Sequence, residues 1–440
     1  MTKILSNKSN IDLDYPICRP SLDLDFTQER LDPRITFSRG SIGTRVNRNR
    51  LIETVSANQP RFDFDPVTGE CKGLLIEESR SNLVTYSEDF SNVAWVKSQS
   101  SIVASSIVSP SGSTSFKLVE NTVSGVGHFI TQGSITKLSN AVLTLTIFAK
   151  AAERQYFGLV INSSSTGFGS RYGAEFNLGN GTASEHDSAQ GTYSSGSFSI
   201  QPYPNGWYRC TITCTTSTDA QSQVRIFTFR DANQWTSAAS YAGDGTSGIY
   251  VWGAQLEAGS FPTSYIPTTA STVTRSAEIA EMTGRNFSSW YNQTEGTLFV
   301  VASPSTNGAY SGFIYLLGTD FNNGIIYLRQ SDYQPVFRIR SGQRDEYSKT
   351  INGAVGFGQI WRNVVALKSA ISFKTNDFNS FVSGVPITGS RATAGTLPTF
   401  TGPLYLGGLN AGSNSLNGTI SRLTYYPRAL KPNQLQYLTQ

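Results

Sequence analysis

The chain has 440 residues, 38% of them hydrophobic and 12% aromatic, with 15% charged and a formal net charge of +4. That length leaves room for two or three domains. The aromatic content excludes a disordered chain, and the weak charge gives no basic stripe to hold a phosphate backbone. The opening, MTKILSNKSNIDLDYP, has no apolar core, so no signal peptide is expected. No run approaches the length of a membrane span.

In chain order, residues 1–85 are the most charged block, with LDLDFTQERLDPR (22–34) and TRVNRNRLIE (44–53). From residue 86 strand signals dominate. AVLTLTIFAK (141–150), QVRIFTFR (223–230) and GIYVWGAQLE (248–257) belong to a block ending near residue 270. TASTVTRSAE (269–278) reads as a hydroxyl-rich link. A third block, 279–440, holds GTLFVVAS (296–303), GIIYLRQ (324–330), VFRIRSG (336–342), NVVALKS (363–369) and TISRLTYY (419–426). Between strands, FNLGNGT (176–182) and FVSGVPI (381–387) supply the positive φ that hairpins need. Many short strands with Gly-, Asn- and Ser-rich turns predict an all-β chain of tandem antiparallel β-sandwiches. One short helix is predicted after Pro432.

WYRCTITCT (207–215) puts Tyr208, Cys210, Ile212 and Cys214 on one face of a half-buried strand. Four residues along a strand separate two Cα atoms by roughly 13 Å. A disulfide tolerates less than about 7 Å, so Cys210 and Cys214 do not bond to each other. They are expected to fill the core as small hydrophobes. Trp207 falls on the opposite face and is expected to be partly exposed. Whether Cys18 and Cys71 pair is left open.

The stretches SLDLDF (21–26), LDPRITFSRGS (31–41), TRVNRNRLIE (44–53) and PRFDFDPVTGECKGLLIEESRSNLV (60–84) resemble an N-terminal region of phage tail-fibre, head-fibre and related virion proteins. YSEDFSNVAWVK (86–97), NGWYRCTIT (205–213) and YAGDGTSGIYVWGAQLEAGSFPTSYIPT (241–268) resemble a jelly-roll carbohydrate-binding module. EGTLFVV (295–301), LYLGG (404–408) and NGTISRLTYYPRALKPNQLQYL (417–438) are similar to laminin-G or concanavalin-A-like sandwiches. The resemblance implies a virion-attachment region (1–85), a jelly roll (86–270) and a lectin-like domain (279–440). It further implies partners among other virion proteins, host-surface polysaccharide as ligand, and a homo-oligomer, often a trimer. The address it implies is the virion surface, after synthesis in the host cytoplasm. No nucleic-acid partner and no membrane insertion are expected.

No catalytic set is expected. With two histidines, a Ser-His-Asp triad or His-rich metal site has almost nothing to draw on. His186 in SEHDS reads as a solvated loop residue and His128 as a strand residue. Asp23 with Asp25, and Asp63 with Asp65, are carboxylate pairs on strand faces. They read as a calcium or catalytic pair, or as a polar face or protomer contact. Asp65 also opens a turn at PVTGE. The candidate glycan site is RDANQWTSAASYAGDG (230–245): Trp235 with Asp231, Asn233, Gln234 and Tyr241 pairs an aromatic face with hydrogen-bonding rims. Asp231 and Asp244 are the candidate ligands of a structural calcium; no other cofactor is expected. Trp252 reads as core. In the last block Tyr333, Arg338 and Arg340 read as a binding edge or as an ordinary polar sheet face, and Trp290 and Trp361 have no surrounding pattern. The expected role is a virion fibre or decoration protein that displays glycan-binding sandwiches. A polysaccharide depolymerase and a purely structural virion protein are the alternatives.

Overall fold

A computed structural model describes residues 18–125, 127–136, 140–163, 170–190, 193–216, 221–234, 241–304, 313–320, 323–329, 335–341, 344–350, 366–387, 391–392, 395, 397, 399–400, 402–408 and 415–440. It is an all-β protein built of antiparallel sheets.

Two six-stranded sheets make the middle sandwich. The first runs, in spatial order, Tyr193–Pro202, Trp207–Thr216, Val142–Ala151, Gly248–Ala258, Thr114–Glu120 and Ser100–Val108. The second runs Thr182–Gln190, Arg171–Asn177, Tyr156–Ser163, Gln221–Phe229, His128–Thr136 and Val96–Ser98. Alternation sends every second side chain between the sheets. Register then places Cys214 opposite Leu143, Ile212 opposite Leu145 and Cys210 opposite Ile147. All six are buried in one core with Leu159, Ile161, Val224 and Ile226. Neither cysteine is in a disulfide, both are buried as core residues, and burial pushes the Cys210 thiol pKa up. Cys18 and Cys71 are also free, each half-buried.

The last sandwich pairs two eight-stranded sheets. Residues 18–85 are woven into both. Leu22–Asp25 pairs with the final strand Gly418–Tyr426, Leu24 lying opposite Leu423. Cys71–Ile76 pairs with the same strand, Leu74 opposite Ile420. Thr36–Ser38 adds to the other sheet beside Ile279–Met282. Leu22, Leu24, Phe62, Leu74 and Ile76 therefore share a core with Leu298, Ile371 and Leu423. The helix Pro432–Thr439 forms where the sequence predicts one, with Pro432 in its first turn.

The hairpin Gly43–Val46/Ile52–Val55 covers the outer face of the middle sandwich's first sheet. Val46, Ile52 and Phe64 pack there on Phe148, Trp207, Trp252 and Tyr265. Trp207 is on the face opposite the cysteines, as expected, but it is 1% exposed rather than partly exposed. The first block buries it, and its indole N–H donates to the Val108 carbonyl at 2.9 Å. Burying a large apolar side chain stabilises by about 1.5–3 kcal/mol.

The stretch read as a link is held in place. Val273–Arg275 pairs with Arg80–Asn82, and Glu278 enters a buried ionic cluster. Arg61 donates through Nε to Glu278 at 2.9 Å and through Nη2 to Glu77 at 2.7 Å. Arg39 reaches Glu278 at 3.2 Å and Arg275 reaches it at 3.4 Å. Ser264, in the segment leaving the middle sandwich, donates its N–H and its hydroxyl to Glu77, both at 2.7 Å. Remaining Arg39 donors go to the carbonyls of Ser41, Val55, Ser56 and Gln59. Buried ions are tolerated on such terms, with partners for their donors and acceptors.

Candidate functional site

The loop chosen from sequence follows the strand Gln221–Phe229 at one end of the middle sandwich. Trp235 lies outside the described residues. Asp231 is exposed and ion-paired with Arg230 at 2.8 Å. Gln234 turns inward on its own loop, accepting from the N–H groups of Arg230 (2.6 Å) and Asp231 (3.1 Å). Asn233 takes a positive φ of 58° and donates its N–H to Glu175 at 2.9 Å. Tyr241 is buried, with its hydroxyl donating to Glu120 at 2.6 Å and its ring edge-on to His128 at 4.5 Å.

Glu120 organises this end of the sandwich. It is 1% exposed and accepts from Arg154 Nε (3.1 Å) and Nη2 (2.5 Å), from Tyr241, and from the Asp244 N–H (3.1 Å). Burial, and then the bond to Glu120, push the Tyr241 pKa up. A tyrosine nucleophile needs the opposite shift. Asp244 accepts from the N–H and hydroxyl of both Thr246 and Ser247 at 2.5–3.0 Å. The Ser247 hydroxyl and N–H lead the effects that hold its carboxyl well below the usual range. Asp244 is thus a turn anchor and Asp231 an Arg230 partner. No group of three or more His, Cys, Asp or Glu with metal-binding geometry occurs among the described residues.

The other sequence candidates separate. Asp23 binds Arg422 and Thr424 of the last strand at 2.7–3.0 Å, so its partner is this chain's own C-terminal sheet. Asp25 caps the turn after its strand through Thr27. Asp63 pairs with Lys72 at 2.7 Å. Asp65 accepts from the N–H groups of Val67 and Thr68, both at 2.8 Å, as a turn opener. His128 is buried in a strand, each ring nitrogen against a backbone carbonyl. His186 lies in the strand Thr182–Gln190 and not in a loop: its stretch pairs with Arg171–Asn177. Trp252 is fully buried, and Trp290 is buried with its indole N–H donating to Asn286 at 2.8 Å. Arg338 and Arg340 are half-buried in Pro335–Ser341; Tyr333 and Trp361 lie outside the described residues.

A different surface combines aromatic rings with polar rims: the outer face of the second sheet. Along Gln221–Phe229, Val224 and Ile226 point to the core, so Gln223, Arg225, Phe227 and Phe229 point outward. Register sets Phe129 beside Phe227, Tyr156 beside Phe229, Val160 beside Arg225 and Asn162 beside Gln223. The Phe129 and Phe227 rings lie 4.7 Å apart, and the Arg225 guanidinium stands 5.0 Å from the Phe129 centroid. Gln223 accepts from Arg225 at 2.9 Å and from Asn162 at 3.1 Å. Burial, and then the nearby Arg171, depress the Arg225 pKa. Asn162 Oδ1 and Glu175 Oε2 are buried with no hydrogen-bond partner, and burial raises the Glu175 pKa. Phe129, Tyr156, Arg171, Gln223 and Arg225 are the half-buried, reachable part of this strip. A sequence signal existed: QVRIFTFR is apolar on both faces, which a one-sided sandwich strand does not require.

Residues 288–436 match the concanavalin A-like lectin/glucanases superfamily (Laminin_G_3). The last block is a concanavalin A-like, lectin-type β-sandwich. No curated protein matches the chain. Solved structures similar to it include the CBM40 of a Ruminococcus gnavus IT-sialidase bound to α2,3-sialyllactose, at 17% identity and a TM-score of 0.29. That similarity covers 35% of this chain and 88% of the module. A leech intramolecular trans-sialidase is similar at 16% identity and a TM-score of 0.27, over 34% of this chain and 23% of the enzyme. A Trypanosoma rangeli sialidase is similar at 12% identity and a TM-score of 0.28, over 78% of this chain and 62% of the enzyme.

Proposed function

We propose that this protein is a non-enzymatic glycan-binding protein displayed on a phage particle, where its sandwiches hold host-surface polysaccharide. The observation that carries the glycan reading is the strip on the second sheet. The half-buried Phe129 and Tyr156 rings offer faces to the C–H patches of a sugar, and Gln223 and Arg225 offer rims to its hydroxyls. The lectin-type sandwich of residues 288–436 supports the same class of ligand. The virion address rests on the resemblance of residues 21–84 to phage fibre and decoration proteins. Oligomerisation, as a trimer, would sum weak sugar contacts through avidity.

The test is retention of the full chain on immobilised host-cell polysaccharide, compared with the Phe129→Ala and Arg225→Ala variants. Both variants are expected to elute early while keeping the wild-type circular dichroism spectrum. Equal retention of all three removes the strip from the site. Release of new reducing ends by the wild type identifies a depolymerase instead. Immunogold labelling of particles reads the address: label on tail or head supports display, and unlabelled particles overturn it.

A further inference from the structure

A cleft of about 300 Å³ opens where the first block, the first sheet of the middle sandwich and the last sandwich meet. Asp63 and Lys72 come from the first block, Tyr203 and Arg209 from the first sheet, Tyr265 from its exit segment, and Thr419 from the final strand. None of the three blocks makes this space alone. It lies on the face of the middle sandwich opposite the aromatic strip.

Its charges are unevenly matched. Asp63 is taken by Lys72 at 2.7 Å and by the Val46 N–H at 2.9 Å. Glu77 belongs to the Arg61–Ser264 cluster. Arg45 is paired with Glu53 at 2.7 Å. Arg209 is the cation left over. It lies directly opposite Phe148 in register, 5.8 Å from the ring centroid. Its Nη2 donates to the Thr263 carbonyl at 2.6 Å, while its Nε is buried with no hydrogen-bond partner. A guanidinium presents five donors in a planar fork, and native folds seldom leave such donors unmet. Tyr203 stands against the same space, its ring edge-on to Phe148 at 5.0 Å. Burial raises its pKa, and Arg209 and Lys72 are close enough to pull against that rise.

We propose that this cleft is a subsite for one acidic sugar residue, whose carboxylate is held by Arg209. A carboxylate accepts from a guanidinium fork in the geometry that best satisfies both. Tyr203 and Tyr265 supply ring surface for the sugar's C–H patches, and Gln201, Ser303 and Thr419 supply partners for its hydroxyls. A volume at the small end of ligand sites suits a single residue better than a chain. The subsite is separate from the strip, so either can fail alone.

The experiment uses the full chain, because all three blocks line the cleft. Glucuronic, galacturonic and N-acetylneuraminic acids are titrated by calorimetry and by ligand-observed saturation-transfer NMR, beside glucose, acetate and the methyl ester of glucuronic acid. At least one acid is expected to bind. R209Q is expected to weaken it by about 10- to 100-fold, the effect of losing a hydrogen bond to a charged group, while R34Q, in the surface pair with Asp32, leaves it unchanged. Esterification should weaken binding to the wild-type protein similarly, a readout independent of how R209Q folds. Binding of none of the three acids, binding unaffected by esterification, or displacement by acetate at equal concentration would overturn the assignment.

Discussion

Arg61 Nε donates to Glu278 Oε1 at 2.9 Å across 217 residues of sequence, and neither side chain has any solvent exposure. One residue sits in the first block, the other is the last residue of the stretch read as a link. Their contact, with Glu77 and Ser264 beside it, joins the blocks through a buried charge cluster rather than a tether.

Removing one partner leaves the others buried and uncompensated. Glu278→Ala is expected to destabilise by about 3–5 kcal/mol, measured as a lower urea midpoint. Asp23→Ala breaks a pair whose side chains are 38% and 45% exposed, and is expected to cost no more than about 1 kcal/mol. Equal effects would remove the distinction between the buried and the surface pair.

Acid should loosen the same cluster. Burial opposes ionisation of Glu77, but Arg275, Arg61 and Ser264 outweigh it and hold the carboxyl below its ordinary value of 4.5. A depressed carboxylate contributes stability that is fully present above the unfolded value and lost as pH falls below it. Denaturant midpoints should therefore drop below pH 4.5, and E77Q should flatten that dependence. A wild-type midpoint constant down to about pH 3 contradicts the linkage.

Gly73 tests the weaving of the first block into the last sheet. It has a φ of 98°, and a Cβ there would lie 2.2 Å from the Ile420 carbonyl oxygen. Gly73→Ala is expected to lower the melting temperature and to raise proteolysis of residues 18–85 and of the final strand together. Cleavage confined to the first block would show that the pairing is dispensable.

The thiols should react in order of burial. Cys210 and Cys214 are 0% and 1% exposed, while Cys18 and Cys71 are half-buried. Alkylation of the native protein followed by peptide mass spectrometry should label Cys18 and Cys71 first. Prompt labelling of Cys210 or Cys214 contradicts a core position.

Period and turn chemistry are local properties, so the sequence alone determined the all-β class. It also determined the main strands of both sandwiches, the inward face of Cys210 and Cys214, the Asp65 turn and the helix after Pro432. The Ser383–Gly384 turn, with φ values of 48° and 77°, sits where FVSGVPI predicts it. Only the tertiary structure decided which faces are covered. Trp207 and Phe227 both point away from the sandwich core; one is buried by the first block and the other joins the outer strip, and neither outcome is written in the alternation. The same holds for Arg61, Glu77 and Glu278, three ordinary charges in sequence, and for Arg209, an outward residue of a polar strand face. Their environment is set by chain segments some 50 to 220 residues away, and burial, unlike strand period, is a property of what packs against a residue from elsewhere.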